Sequence, residues 1–265
     1  MNKHILLSFD VEEYDMPLEY GGSISFEQQM AISTEGVQAV MALLKQYNIK
    51  ATFYTTAQYA IHKPDIIQQL VADEHEIASH GYYHSRFEEA DLATSRRTLM
   101  HISGKNVYGY RMPRMQAVSN QALKEAGYLY NSSLNPTWLP GHYNHFRKPR
   151  TYFYTNELLQ LPASVTPVLR IPLFWLSFHN FPENIYRYLC TCVMRKDTYC
   201  NMYFHPWEFT DIRKNTNAKY PTYITKNTGQ YMKNRLEQFI MWAFRKNYMF
   251  ISTANWLAQK KLIKI

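Results

Sequence analysis

The chain has 265 residues, 46% of them hydrophobic, with 29 Lys+Arg against 21 Asp+Glu and a formal charge of +8. That length suits one α/β barrel with a sizeable core, and the lack of any run of eighteen apolar residues excludes a transmembrane helix. The basic balance would suit nucleic acid, an anionic surface or a phosphorylated substrate. Yet the charges are scattered outside 145–150 and the C-terminus, and no nucleic-acid-binding motif accompanies them, so no nucleic-acid partner is expected.

Ile5 to Val11 is apolar and meets acids at Asp10, Glu12 and Glu13. It is too short and too soon interrupted for a secretory signal, so it predicts a first buried strand and a cytoplasmic chain. Ser33-Thr34-Glu35-Gly36 has the hydroxyl cap and early acid of a helix start, and Val37, Val40, Met41 and Leu44 follow at helical spacing. A second strand over 50–56, a helix opened by Pro64 and a short strand over 76–79 come next. The pattern then predicts a helix over 88–101, a strand over 107–110, a helix over 120–126 and a strand over 128–131. From Pro136 to Thr155 it predicts a long loop rich in proline, histidine and tyrosine. Regularity returns with a strand over 158–161, a helix over 183–194 and a strand over 199–204. A long helix over 230–244, a strand over 248–252 and a helix over 255–260 close the chain.

Repeated β-then-α units imply parallel strands with right-handed crossovers. Polar residues gather just after the carboxyl ends of several strands, which favours a (β/α) barrel, where those ends share one mouth. No repeat or low-complexity linker divides the chain, so one catalytic domain over 1–265 is expected. Cys190, Cys192 and Cys200 make an odd set without paired knuckles. They predict free thiols in a reducing compartment rather than a disulfide scaffold or structural zinc.

Asp10 and Glu12, two apart on a strand, project to the same side. His80 and His84, four apart after the strand at 76–79, bring two imidazoles within reach of one ion, with Gly81 allowing a sharp turn. Two histidines and a carboxylate leave positions open for water and substrate, as metal-assisted hydrolysis requires. Zinc is the first choice from ligand type, with cobalt, nickel or iron as alternatives. Arg111 leaves another strand end, where a guanidinium beside Asp10 would orient it and keep it ionised. His205 caps the strand at 199–204 and titrates near neutral pH, as an acid for a leaving amine must.

Phe9-Asp10-Val11-Glu12-Glu13, His80-Gly81-Tyr82-Tyr83-His84, Arg111-Met112-Pro113 and Phe204-His205-Pro206-Trp207-Glu208 together resemble the polysaccharide deacetylase (NodB-homology) family, in its Asp-x-acid branch. Tyr130-Asn131-Ser132-Ser133 and Pro140-Gly141-His142-Tyr143 resemble that branch too. The likeness runs over about positions 5 to 210. It implies a distorted, incomplete (β/α) barrel and a metal-dependent deacetylase of N-acetylated sugars. By position it makes Asp10 the general base, Glu12, His80 and His84 the metal ligands, Arg111 the residue orienting Asp10, and His205 the general acid.

The chain departs from the family pattern in three places. Glu12 stands where aspartate is frequent, with Glu13 as a competing carboxylate. Asn131 stands where an aspartate commonly supports the acid histidine. Leu173 to Phe178 is bulky where glycines are usual. The expected function is removal of an N-acetyl or other N-acyl group from an amino sugar or glycan in cell-surface polysaccharide metabolism; a basic, tyrosine-rich rim would suit a sugar carried on a phosphate. The rivals are a hydrolase of a small non-sugar amide, metal-free in some relatives, and a non-catalytic glycan-binding protein on the same fold.

Overall fold

The computed structural model describes residues 2–141, 143–214 and 218–265; His142 of the Pro140–Tyr143 motif lies outside them. Nine strands join one sheet. They are β1 (Lys3–Val11), β2 (Thr52–Thr55), β3 (Glu76–Ser79), β4 (Gly109–Tyr110) and β5 (Tyr130–Asn131), then, past a separate hairpin of β6 (Trp138–Leu139) and β7 (Tyr143–Asn144), β8 (Phe153–Thr155), β9 (Leu158–Gln160), β10 (Tyr199–Phe204) and β11 (Tyr248–Phe250). The order is β10-β1-β2-β3-β4-β5-β9-β8, with β11 also on β1. All pairings in this sheet are parallel except β8 with β9.

β1 is the axis of this sheet. His4 and Ile5 pair with both β10 and β11, while Ser8 and Phe9 pair with both β10 and β2. A strand has two edges, so β11 and β2 must follow one another along the same edge. The sheet curls into the expected incomplete barrel. Beyond β9 the chain crosses to β10, where the Ser164 amide donates to the Asn201 carbonyl at 2.8 Å and the Asn201 side-chain amide reaches the Pro162 carbonyl at 3.0 Å.

Strand alternation sorts side chains into two compartments. Ile5, Leu7, Phe9 and Val11 pack outward with Phe53, Ile77, Cys200, Met202 and Phe204 beneath the helices. Leu6, Tyr54, Ala78, Tyr130, Leu159 and Tyr199 turn inward, where Trp256 helps close the lower end of the barrel. Ser8, Asp10 and Glu12 continue the inward row towards the mouth, all buried. The parity that predicts one face for Asp10 and Glu12 therefore holds.

The first long helix begins earlier than Ser33. It spans Phe26–Gln46 and is opened by a reciprocal capping box, with Ser25 accepting from the Gln28 amide and Gln28 from the Ser25 amide. The Ser-x-x-Gln signature is itself a helix start signal. Ser33 sits inside the helix, where its hydroxyl donates to the Glu12 carbonyl at 2.5 Å. Gly36 faces the turn after β10 so closely that a Cβ there would lie 2.0 Å from the Pro206 carbonyl oxygen. The expected loop over 136–155 contains the β6–β7 hairpin and β8, and the bulky segment after Leu173 forms a short helix, Trp175–Asn180. No helix among the described residues is long and apolar enough to cross a membrane.

His75 supplies a pH-sensitive element away from the barrel mouth. Its Nδ1 accepts the Ala51 amide at 3.3 Å, which requires an unprotonated nitrogen, and burial, helped by Lys50, pushes its pKa down to about 4. The unfolded chain takes a proton near pH 6.5 whereas the folded one resists, so this contribution is complete above pH 6.5 and is lost as pH falls towards 4. Urea unfolding between about pH 7.5 and about pH 4 should show His75→Phe losing up to about 3 kcal/mol less stability than the parent.

Candidate metal centre and catalytic site

The three expected ligands meet. Glu12 follows β1, while His80 and His84 lie in the turn after β3, where Gly81 takes a φ of +84°. The Nε2 atoms of His80 and His84 lie 3.2 and 3.1 Å from the same Glu12 oxygen. All three residues are buried, and their donor atoms fall within 4.8 Å of one another.

Each imidazole is fixed through its other nitrogen. His80 Nδ1 donates to the Arg111 carbonyl at 2.9 Å, and His84 Nδ1 donates to Asp15 at 2.7 Å. These bonds direct both Nε2 atoms to the shared point, the arrangement by which outer groups orient metal-binding histidines. Burial opposes a charge on His84, yet Glu12 and Asp15 prevail and push its pKa up to about 9. The pocket thus favours positive charge where the three donors converge, and the donor set fits a divalent cation.

Glu13 does not compete. Its carboxylate turns away and accepts from Thr56 Oγ1 at 2.7 Å, and burial raises its pKa. The choice follows from parity, since Glu12 shares the inward row with Asp10.

Asp10 accepts from Arg111 Nη1 at 2.5 Å. Burial pushes the Asp10 pKa up, but Arg111, then His80 and His205, outweigh it and hold the carboxyl below its ordinary range. Arg111 is completely buried. Its nitrogens also reach Ser8 Oγ at 3.0 Å, the Ser132 carbonyl at 3.2 Å and Ser132 Oγ at 3.1 Å, while the guanidinium lies 3.8 Å from the Tyr54 ring centre.

His205 follows β10 and stands beside β1 through the Phe9–Phe204 register. Its ring stacks on Trp207 and meets the edge of Trp175. Asn131 does not support it. Just past β5, Ser132 turns inward to Arg111, whereas the Asn131 side-chain amide meets Gln160 and its side-chain oxygen accepts the Ser133 amide. The supporting charge comes from Glu208, which accepts from His205 Nδ1 at 2.9 Å and from the His205 amide at 2.6 Å. The second Glu208 oxygen meets His179 Nε2 at 2.9 Å, and Glu208 and His179 are both buried. Burial disfavours the imidazolium, but Glu208, Glu12 and Asp10 together raise the His205 pKa.

Sequence reasoning also passed over Asp15 and Arg114. Arg114 and Met115 take consecutive left-handed conformations, φ +55° and +52°. From there Arg114 donates to the His84 carbonyl at 2.9 Å, to Asp15 at 3.2 Å and to Glu19 at 2.6 Å. Glu208 had a legible signal, three residues beyond His205 in a turn opened by proline; His179 had none. The cavity at the mouth measures about 720 Å³ and holds Asp10, Glu12, His80, His84 and His205. The Phe174-Trp175-Leu176 segment forms one wall, so the bulky stretch borders the site.

The polysaccharide deacetylase family model matches residues 2–130. That match covers just under half of the chain, and over it the chain is similar to the polysaccharide deacetylase family. This family segment contains Asp10, Glu12, His80, His84 and Arg111 and ends before Ser132, His205 and Glu208. A chitooligosaccharide deacetylase of Bradyrhizobium sp. (strain ANU 289) is 36% identical over 56 residues, 20% of this chain and 26% of the relative. The chain thus matches about a quarter of that curated relative's length. Among solved structures, a "probable Polysaccharide deacetylase" of Pseudomonas aeruginosa PAO1 aligns with TM-score 0.65 at 16% identity, over 95% of this chain and 88% of that one. PuuE allantoinase aligns with TM-score 0.63 at 14% identity, over 96% and 90%. At these identities both show a shared fold, and they extend the likeness past the family segment to β10.

The Glu208 contact has a direct test. In Glu208→Gln the amide no longer carries the charge that favours imidazolium, so the His205 pKa should fall, read from its imidazole proton shifts across a pH titration. Asn131→Asp, whose side chain faces away, should leave it in place.

Proposed function

We propose that this chain is a metal-dependent hydrolase that removes an N-acetyl or other N-acyl group from an amino sugar or glycan, acting as one catalytic domain in cell-surface polysaccharide metabolism. The observation that carries the proposal is the convergence of His80, His84 and Glu12 beside a buried Asp10–Arg111 pair and a Glu208-supported His205. The match of residues 2–130 to the polysaccharide deacetylase family model supports the same reaction class. A cytoplasmic setting, also proposed, draws on the unpaired Cys190, Cys192 and Cys200.

Glu12, His80 and His84 would hold a divalent cation, zinc first. When bound, such an ion supplies Lewis-acid stabilisation for negative charge developing on an amide oxygen. Asp10, held ionised by Arg111, accepts a proton from the attacking water. Arg111 stays charged throughout, because its guanidinium cannot lose a proton in this range. His205 starts as the imidazolium, its Nδ1 proton held by Glu208 and its Nε2 proton facing the cavity; it gives the Nε2 proton to the departing amine and is left neutral. Carbon–nitrogen cleavage then yields a carboxylate and a free amino sugar. Trp175 and Trp207 flank His205 and limit its contact with water.

Acetate release from acetylated chito-oligosaccharides and nucleotide-linked N-acetylhexosamines, with zinc supplied, tests the activity. Asp10→Asn should lower turnover by about 10²- to 10⁴-fold while metal content stays unchanged. Silence of the parent protein across the panel would count against the sugar substrate.

Metal dependence is a separate measurement. Protein purified without chelator should carry close to one equivalent of divalent metal, on the order of a single site, and Glu12→Ala should lose both metal and activity. Full activity in a metal-free Glu12→Ala protein would favour the small-amide reading instead.

A further inference from the structure

Two loops beside the cavity expose apolar side chains that the proposed hydrolysis does not use. Val168 and Leu169 are 78% and 71% exposed, more than any other large hydrophobic residue described, and Trp138 is 61% exposed. The loops are tied together: Thr137 Oγ1 donates to the Arg170 carbonyl at 2.7 Å, and Arg170 Nη1 donates to the Lys148 carbonyl at 3.0 Å. Trp138 and Leu169 are therefore chain neighbours of a hydrogen-bonded pair. Each loop also borders the cavity, one through Leu139 and Tyr143, the other through Pro172.

Charge distinguishes this rim from an ordinary apolar surface. Residues 126–182 contain Arg147, Lys148, Arg150 and Arg170 but only one acid, Glu157. Glu157 is bonded to Lys124, and Arg150 is paired with Asp197. Arg147 and Lys148 remain exposed on the hairpin side of the rim. Exposed aliphatic tips beside basic residues match the two layers of an anionic bilayer, with hydrocarbon for the tips and phosphate for the cations. A carbohydrate surface would call for aromatic platforms; Trp138 could serve as one and equally suits a bilayer interface, but the two most exposed tips, Val168 and Leu169, are aliphatic.

We propose that this two-loop rim docks the chain on anionic phospholipid membranes. Trp138, Val168 and Leu169 enter the interface, while Arg147 and Lys148 meet the headgroups. The cavity wall belongs to the same loops, so docking brings the cavity close to the headgroup layer. This inference is independent of the reaction at the mouth.

Sedimentation with phosphatidylglycerol–phosphatidylcholine vesicles, against pure phosphatidylcholine, tests it with the full chain. Binding should require the anionic lipid and weaken with salt. Combined Val168→Ser and Leu169→Ser should reduce partitioning by at least about tenfold, and combined Arg147→Gln and Lys148→Gln by about tenfold or more. All four positions are exposed, and an unchanged melting temperature would show that the fold is intact. Failure to bind, or binding indifferent to both double variants, overturns the proposal. Binding to an acidic polysaccharide but not to vesicles overturns it in favour of a glycan-facing rim. None of these outcomes depends on deacetylase activity.

Discussion

Inside the curled sheet a guanidinium is held with no exposure to water, and the mouth of the barrel is arranged around it. Arg111 reaches Ser8 and Asp10 from β1 and Ser132 from the end of β5, and stacks against Tyr54 of β2. Tyr203 of β10 lies on the same charge at 5.0 Å. The Arg111 backbone carbonyl holds His80. A buried cation must be satisfied by partners because water cannot reach it. Satisfying Arg111 therefore fixes several strands relative to one another and, through Asp10 and His80, fixes two of the groups at the mouth.

Much of this was legible from the sequence because it follows from alternation. Once Ile5, Leu7 and Phe9 are assigned to the helix side, Ser8, Asp10 and Glu12 must face the interior. The same parity decides Glu12 over Glu13. It also explains why Asn131 fails as a partner for His205: Tyr130 before it and Ser132 after it face inward, so Asn131 between them faces out. What periodicity cannot convey is how remote segments meet. His179 reaches Glu208 from a helix whose sequence, Trp-Leu-Ser-Phe-His-Asn, carries no amphipathic pattern and no start signal. The β6–β7 hairpin escaped notice because two-residue strands leave no alternation to detect. The early start of the first long helix is different, since its Ser25–Gln28 box stands in the sequence, and the Ser33-Thr34-Glu35 cluster that reads as a start lies inside the helix.

The outer groups divide their labour. A neutral carbonyl orients His80, whereas a carboxylate orients His84 and another orients His205. A carbonyl fixes the orientation of a ring, whereas a carboxylate also favours its charged form. Asp15 is in turn tied by Arg114, from a stretch of backbone in two successive left-handed conformations. Such conformations cost of order 1–3 kcal/mol each and persist where surrounding contacts impose them.

Gly36 gives the outer layer a say in the geometry of the mouth. Glycine weakens a helix interior by roughly 0.5–1 kcal/mol relative to alanine, so its place in the middle of Phe26–Gln46 works against local propensity. The missing side chain lets one helix backbone rest directly on the Pro206 peptide. That peptide begins the turn joining His205 to its counter-charge. A single methyl group at position 36 would act as a wedge, driven from the far side of the sheet into the hinge between an imidazole and the carboxylate that governs it.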